Sequence, residues 1–196
     1  MADTHPIIEP AHTALVVMDY QPGVLQRLDD ADALVERAQR AIANARRLGM
    51  TVGYVHVALT DAERAGVPST NKMFQRLREA GGALNTDAAA TSVDARLKPQ
   101  SGDIVVRKQR VGAFSTTNLD QQLRGRGIDT LLLCGVSTSG CVLSTVRDAA
   151  DRDYRLFVVA DLCADFDPEV HDLLVERVFP RQADVITSDA LDGGAT

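Results

Sequence analysis

Short, unbroken apolar runs, separated by segments with helical spacing, constrain this chain more than any other feature. Thr13-Ala-Leu-Val-Val-Met18 is the clearest of them, with no polar residue set between apolar ones. Residues 51–57, 103–107, 130–134, 155–159 and 183–187 hold five more short, largely apolar segments. Such runs read as strands covered on both faces, and the segments between them read as helices. Residues 30–48 place Ala33, Leu34, Ala38, Ala41, Ile42 and Ala45 at helical spacing and stop at Gly49. Thr117 with Asp120 three residues on forms a capping-box-like pair, and residues 139–152 carry an apolar helix face. Asp167-Pro168-Glu169 opens a last helix that runs to about Phe179. Six strands separated by helical segments predict an α/β fold with a mainly parallel sheet and helices on both faces. The whole of 1–196 is expected to form one domain, with residues 1–12 as an N-terminal arm and 191–196 as a tail. Residues 58–101 are too long for a bare connection and predict a short helix near 72–79 within a covering loop.

Composition then removes classes of function. Acidic residues outnumber basic ones, 27 to 21, for a net charge of −6, so neither nucleic acid nor an anionic membrane is an expected partner. The apolar runs are far too short to span a bilayer, and the first ten residues lack the pattern of a secretory signal. The default expectation is cytoplasmic. Three cysteines, Cys134, Cys141 and Cys163, suit neither a disulfide framework nor a Cys-x-x-Cys zinc pattern. The histidines His5, His12, His56 and His171 have no partner at metal spacing. No Gly-x-Gly-x-x-Gly follows the first strand and no P-loop occurs, so no cofactor and no metal are expected.

In open parallel α/β sheets ligands sit beyond the carboxyl ends of the strands, so the residues after each strand are the ones to read. Asp19 follows the first strand, Lys108 the third, and Gly135-Val-Ser-Thr-Ser-Gly-Cys141 leads from the fourth into a helix. A carboxylate, an amine and a thiol therefore share one rim. A cysteine at a helix N-terminus beside an ammonium is expected to favour its thiolate and to alkylate well below the ordinary thiol pKa. The carboxylate can carry its proton to a leaving nitrogen. Tyr20, Gln21 and Phe114 flank these positions as candidate substrate-binding residues. His56 near a strand end and Asp161 after the fifth strand are left open between pocket and structural roles. Cys134 and Cys163 read as packing residues.

Met18-Asp19-Tyr20-Gln21, Lys108-Gln-Arg-Val-Gly-Ala-Phe114 and Gly135-Val136-Ser137-Thr138-Ser-Gly-Cys141-Val142 together resemble the isochorismatase-like cysteine hydrolases. Asp148–Tyr154 and Asp161-Leu-Cys-Ala-Asp165 extend the likeness, which runs from about residue 13 to 187. The resemblance implies a three-layer, doubly wound sheet of order 3-2-1-4-5-6, with Asp19 as base, Lys108 as stabiliser and Cys141 as nucleophile. It implies a cis peptide between Val136 and Ser137, and an oxyanion hole built from the Ser137 and Cys141 N–H groups. It also implies a homo-oligomer, dimer or tetramer. The Asp-x-His metal site of the nicotinamidase branch has no counterpart in Val55-His56-Val57-Ala58, and the vinyl-ether-cleaving branch typically lacks the cysteine that this chain carries. The expectation is a cofactor-free amidohydrolase acting on a small amide, ureido or lactam compound through a thioester. The alternatives are isochorismatase-type vinyl ether hydrolysis and a non-catalytic redox sensor on the same fold.

Overall fold

The computed structural model describes residues 8–79 and 85–192. His5, the rest of the arm up to residue 7, and residues 193–196 of the expected tail lie outside the described residues. Six parallel strands, β1 (Thr13–Met18), β2 (Thr51–Val57), β3 (Ile104–Lys108), β4 (Thr130–Val136), β5 (Arg155–Ala164) and β6 (Asp184–Ile186), form one sheet in the order β3-β2-β1-β4-β5-β6. That is the doubly wound order. The chain leaves β1 toward one edge through β2 and β3, then returns to lie beside β1 as β4 and builds the other half. Every residue of β1 and β4 is buried, which explains their unbroken apolar sequence, because both faces are covered. The edge strands β3 and β6 carry exposed positions.

Around the sheet lie α1 (Pro22–Leu25), α2 (Ala31–Arg47), α3 (Asp61–Ala65), α4 (Lys72–Glu79), α5 (Leu119–Arg124), α6 (Leu143–Ala150) and α7 (Pro168–Leu173). Helix α2 buries Leu34, Val35, Ala38, Ala41, Ile42 and Ala45. The expected Ala33 is exposed and Val35 takes its place, a rotation of the apolar stripe by part of a turn. Gly49, with φ of 84°, ends this helix, because the Met50 N–H donates to the Ala45 carbonyl and only a left-handed residue permits that bond.

Three sequence expectations change. Strand β5 runs to Ala164 rather than to 159, past a register shift between Leu133 and Gly135 of β4. Asp161 therefore sits within a strand and accepts hydrogen bonds from the Ser188 N–H (2.7 Å) and Oγ (2.5 Å), a structural role. Thr117 and Asp120 do not form a capping box. The Thr117 hydroxyl donates to the Ala113 carbonyl and Asp120 accepts from the Tyr154 hydroxyl. The long segment between β2 and β3 holds α4 where expected, and also α3, opened by a capping box between Thr60 and Glu63. Leu59, Val67 and Phe74 in this segment make a small second core with Val57 and Val111, beside the carboxyl ends of the central strands. Among the described residues no helix is long and apolar enough to cross a membrane.

Candidate active site

Asp19 immediately follows the central strand β1 and takes a φ of 56°, a conformation that costs a non-glycine residue energy and recurs where a side chain must be aimed. Its N–H donates to the Val55 carbonyl of β2, so the backbone is held while the carboxylate turns in beneath the rim. Lys108 ends β3, two strands away, and its side chain crosses to meet it. Nζ donates to Asp19 Oδ2 at 2.6 Å and to the Val111 carbonyl at 2.5 Å. Both side chains are almost completely enclosed. Asp19 Oδ1 is buried with no partner at hydrogen-bonding geometry among the described residues.

Cys141 reaches the same place from β4. The Val136–Ser137 peptide that leaves the strand is cis. Ser137 then caps the turn Thr138–Val142, its Oγ accepting from the Gly140 N–H, and α6 follows. The Cys141 sulfur lies 3.5 Å from the Ser137 carbonyl and is near enough to Asp19 for thiol and carboxyl to shift one another's proton affinity. Gly135 forms the wall behind the sulfur. A Cβ there would stand 2.8 Å from the Met18 carbonyl oxygen and 3.1 Å from the Cys141 sulfur, so only hydrogen fits. The three chemical groups expected on one rim are thus gathered in one buried cluster, from β1, β3 and the turn after β4.

The electrostatics of the pocket differ from the expectation of a ready thiolate. Burial pushes the Cys141 thiol well above its ordinary value, and the Asp19 charge pushes it the same way. The Lys108 ammonium opposes both and does not overcome them. The thiol is therefore the resting form. The positive end of the helix does not prevail, because the turn is desolvated and faces a carboxylate. Burial also raises Asp19, against the pull of Lys108, the thiol hydrogen bond and His56. Raised thiol and raised carboxyl, sharing one neighbourhood, suit a proton that moves between them.

Other candidates are placed differently. Tyr20, Gln21 and Phe114 were expected at the substrate, but each is buried and its groups are committed elsewhere. The Tyr20 hydroxyl donates to the Leu162 carbonyl. The Gln21 amide accepts from the Val57 N–H and donates to the Val57 and Thr91 carbonyls, clamping the end of β2. Phe114 stacks on Tyr154. These three are scaffold. The His56 Nδ1 pairs with the Thr91 carbonyl at 2.8 Å. Cys134 and Cys163 are buried free thiols, and burial lifts Cys163 to about 12. Sequence reasoning missed the supports of the turn that carries Cys141. Asp165 accepts from the Ser139 N–H at 2.6 Å, and Thr138 Oγ1 pairs with His171 Nδ1 at 2.8 Å. Asp165 lay within a segment that carried the family likeness, whereas nothing local marked His171. Among the described residues no group of three or more His, Cys, Asp or Glu side chains could hold a metal ion.

With this geometry in view, comparison with known proteins is decisive for the family. Residues 13–190 match the Isochorismatase domain. The chain belongs to the isochorismatase family. This isochorismatase-family hydrolase is 35% identical over 183 residues to the ureidoacrylate amidohydrolase RutB of Methylobacterium radiotolerans, covering 83% of this chain and 70% of that one. It is 36% identical over 187 residues to the phenazine biosynthesis protein PhzD of Pseudomonas fluorescens, covering 93% of this chain and 86% of that one. The structure of N-carbamoylsarcosine amidase from Thermoplasma acidophilum superposes with a TM-score of 0.75 at 32% identity, covering 92% of this chain and 99% of that one.

Proposed function

We propose that this isochorismatase-family enzyme is a cysteine hydrolase that cleaves a C–N bond of a small amide, ureido or lactam compound through a thioester. The observation that carries this reading is the buried Asp19–Lys108 pair, with its unpartnered Asp19 oxygen beside the Cys141 thiol. Asp19 takes the thiol proton as sulfur attacks the carbonyl carbon. Sulfur then never has to stand as a free thiolate in a desolvated site, which fits its raised pKa. The Ser137 N–H, just before the turn, and the Cys141 N–H within it receive the developing oxyanion. One such donor typically contributes on the order of 3–4 kcal/mol of barrier lowering. Asp19 returns its proton to the departing nitrogen and the C–N bond breaks. Water then gives its own proton to Asp19 as it attacks the thioester, and the thiol is restored. Lys108 holds the Asp19 carboxylate in place and offsets its charge through each transfer. The similarity to an amidohydrolase and an amidase, each across most of this chain, supports the same chemistry.

The similarity to a probable isochorismatase of Pseudomonas chlororaphis, 34% identical over 187 residues, keeps a second reading in play, isochorismatase-type vinyl ether hydrolysis through Asp19 and Lys108 with the thiol idle. One experiment separates the two. A panel of small ureido compounds, amides and lactams is assayed for ammonia or amine release, with intact-mass measurement on slow substrates. An acyl adduct on the native chain, and loss of turnover in Cys141→Ala, are expected. Full activity in Cys141→Ala, or turnover of vinyl ethers alone, would overturn the amidohydrolase reading.

A further inference from the structure

Resting on the hydrolase reading above, we infer that Asp165 and His171, on the connection from β5 into α7, are positioning residues for acyl transfer. They fix the turn that carries Cys141 so that its backbone N–H groups meet the oxyanion. The two N–H groups proposed for that task belong to Ser137 and Cys141, and residues 138–140 set their separation and direction. Each of those three residues is tied down. The Gly140 N–H donates to the Ser137 carbonyl, within the turn itself. The other two ties come from outside it. The Ser139 N–H donates to Asp165 Oδ2 at 2.6 Å, and Thr138 Oγ1 pairs with His171 Nδ1 at 2.8 Å.

The shape of the turn gives those ties their weight. The Val142 N–H reaches back five residues to the Ser137 carbonyl, at 3.3 Å, so the turn is wider than an α-helical one, a geometry that is rare and recurs at functional sites. Thr138 is completely buried, and His171 is the partner of its hydroxyl. Without that partner a buried hydroxyl costs energy, and the turn would shift to satisfy it. Asp165 is itself held firmly. Its other oxygen accepts from the Phe166 N–H at 2.8 Å, and it directly follows Ala164, which pairs with Val136 across the sheet. Asp167 accepts from the Glu169 and Val170 N–H groups and so fixes the start of the helix that presents His171. Both outside bonds land between the two proposed donors and not on the sulfur. Their loss is therefore felt by an oxyanion rather than by the thiol.

Two reagents that meet the same sulfur separate a positioning role from a merely structural one. With p-nitrophenyl acetate the Cys141 sulfur attacks a carbonyl carbon, an oxyanion forms, nitrophenolate leaves and a thioester remains. With iodoacetamide the sulfur displaces iodide from a saturated carbon, and no oxyanion forms. Both rates are measured at one mildly alkaline pH, the first by nitrophenolate release and the second by peptide mass mapping. Asp165→Ala, His171→Ala and Thr138→Val are expected to slow acylation by about tenfold to 100-fold and to leave alkylation within about twofold of the native rate. Thr138→Ser, which keeps the hydroxyl, should recover most of the acylation rate. Asp165→Asn, which keeps an oxygen for the Ser139 N–H, should recover part of it. The Thr138→Val and Thr138→Ser pair carries the test should an alanine variant not fold. Thr138→Val and His171→Ala break one and the same bond, so the double variant should be no slower than the slower single one. Equal slowing of both reactions, native acylation in the variants, or losses that multiply in the double variant would overturn the inference. Nitrophenolate release as fast from Cys141→Ala as from the native chain would overturn the hydrolase reading, and the inference with it.

Discussion

Arg107 and Lys108 are consecutive residues of β3, and each holds a carboxylate at nearly the same distance, 2.7 Å to Glu63 and 2.6 Å to Asp19. The two carboxyls nevertheless move in opposite directions. Glu63, beside water, is pulled down to about 2 by its bonds to Arg107 and to the Thr60 backbone. Asp19, with an ammonium as close, is raised, because the loss of solvent outweighs the attraction. Proximity of opposite charges does not by itself make a stable ion pair. Alternation along one strand decides which pair meets water and which is sealed in, since it sends Arg107 to the outer face and Lys108 into the protein.

Removing the cation from each pair should expose that contrast most sharply. Lys108→Met leaves a buried carboxylate without compensation, a situation that costs about 3–5 kcal/mol unless Asp19 takes up a proton. With Asp19 as the proposed base, protonation removes its acceptor and an unpaired charge removes its support, so a loss of activity of at least about 100-fold is expected, the scale of losing one transition-state charge contact. Arg107→Met should cost at most about 1 kcal/mol in denaturant unfolding and little activity, because Glu63 rehydrates. Similar losses in the two variants would break the comparison.

Next in size is the reactivity of the sulfur. Iodoacetamide should label Cys141 slowly at neutral pH and faster only well into the alkaline range, followed by peptide mass mapping. Lys108→Met should slow labelling further. Rapid labelling near pH 7 would mean a preformed thiolate, and the proton transfer to Asp19 would lose its basis.

The smallest effect lies in the acid range. Glu63 binds its proton less tightly when folded, so its contribution is present above about 4.5 and fades as pH falls toward 2. Asp19 binds its proton more tightly when folded. Its contribution is complete below 3.8 and is lost as pH rises through the folded value, so charging it opposes folding. Glu63→Gln should therefore lower stability at pH 6 by up to about 1 kcal/mol and leave it nearly unchanged at pH 2.5, read from urea midpoints at the two values. An equal shift at both would assign Glu63 a packing role in place of an electrostatic one.

Most of the sheet was legible because β1 and β4 are covered on both faces and wrote that into uninterrupted apolar sequence. The far half of β5 was not. Asp161 breaks the pattern, and the bonds from Ser188 that make it tolerable come from 27 residues away. Two similar spacings, Thr60 to Glu63 and Thr117 to Asp120, ended differently. Glu63 is long enough to reach back to the Thr60 N–H at 2.8 Å, whereas Asp120 is one methylene shorter and meets Tyr154 instead. The positions of Asp19, Lys108 and Cys141 followed from strand ends alone. Their protonation did not, because desolvation depends on what packs above a residue, and that cover comes from other parts of the chain. The clamp made by Gln21 and the support given by Asp165 were hidden for the same reason.

The bare backbone at Gly135 also sets a boundary for anyone wishing to redesign this enzyme. With oxygen and sulfur already 2.8 and 3.1 Å from the point where a first carbon would go, that wall admits no addition of any kind. Room for bulkier compounds has to come from another side of the site.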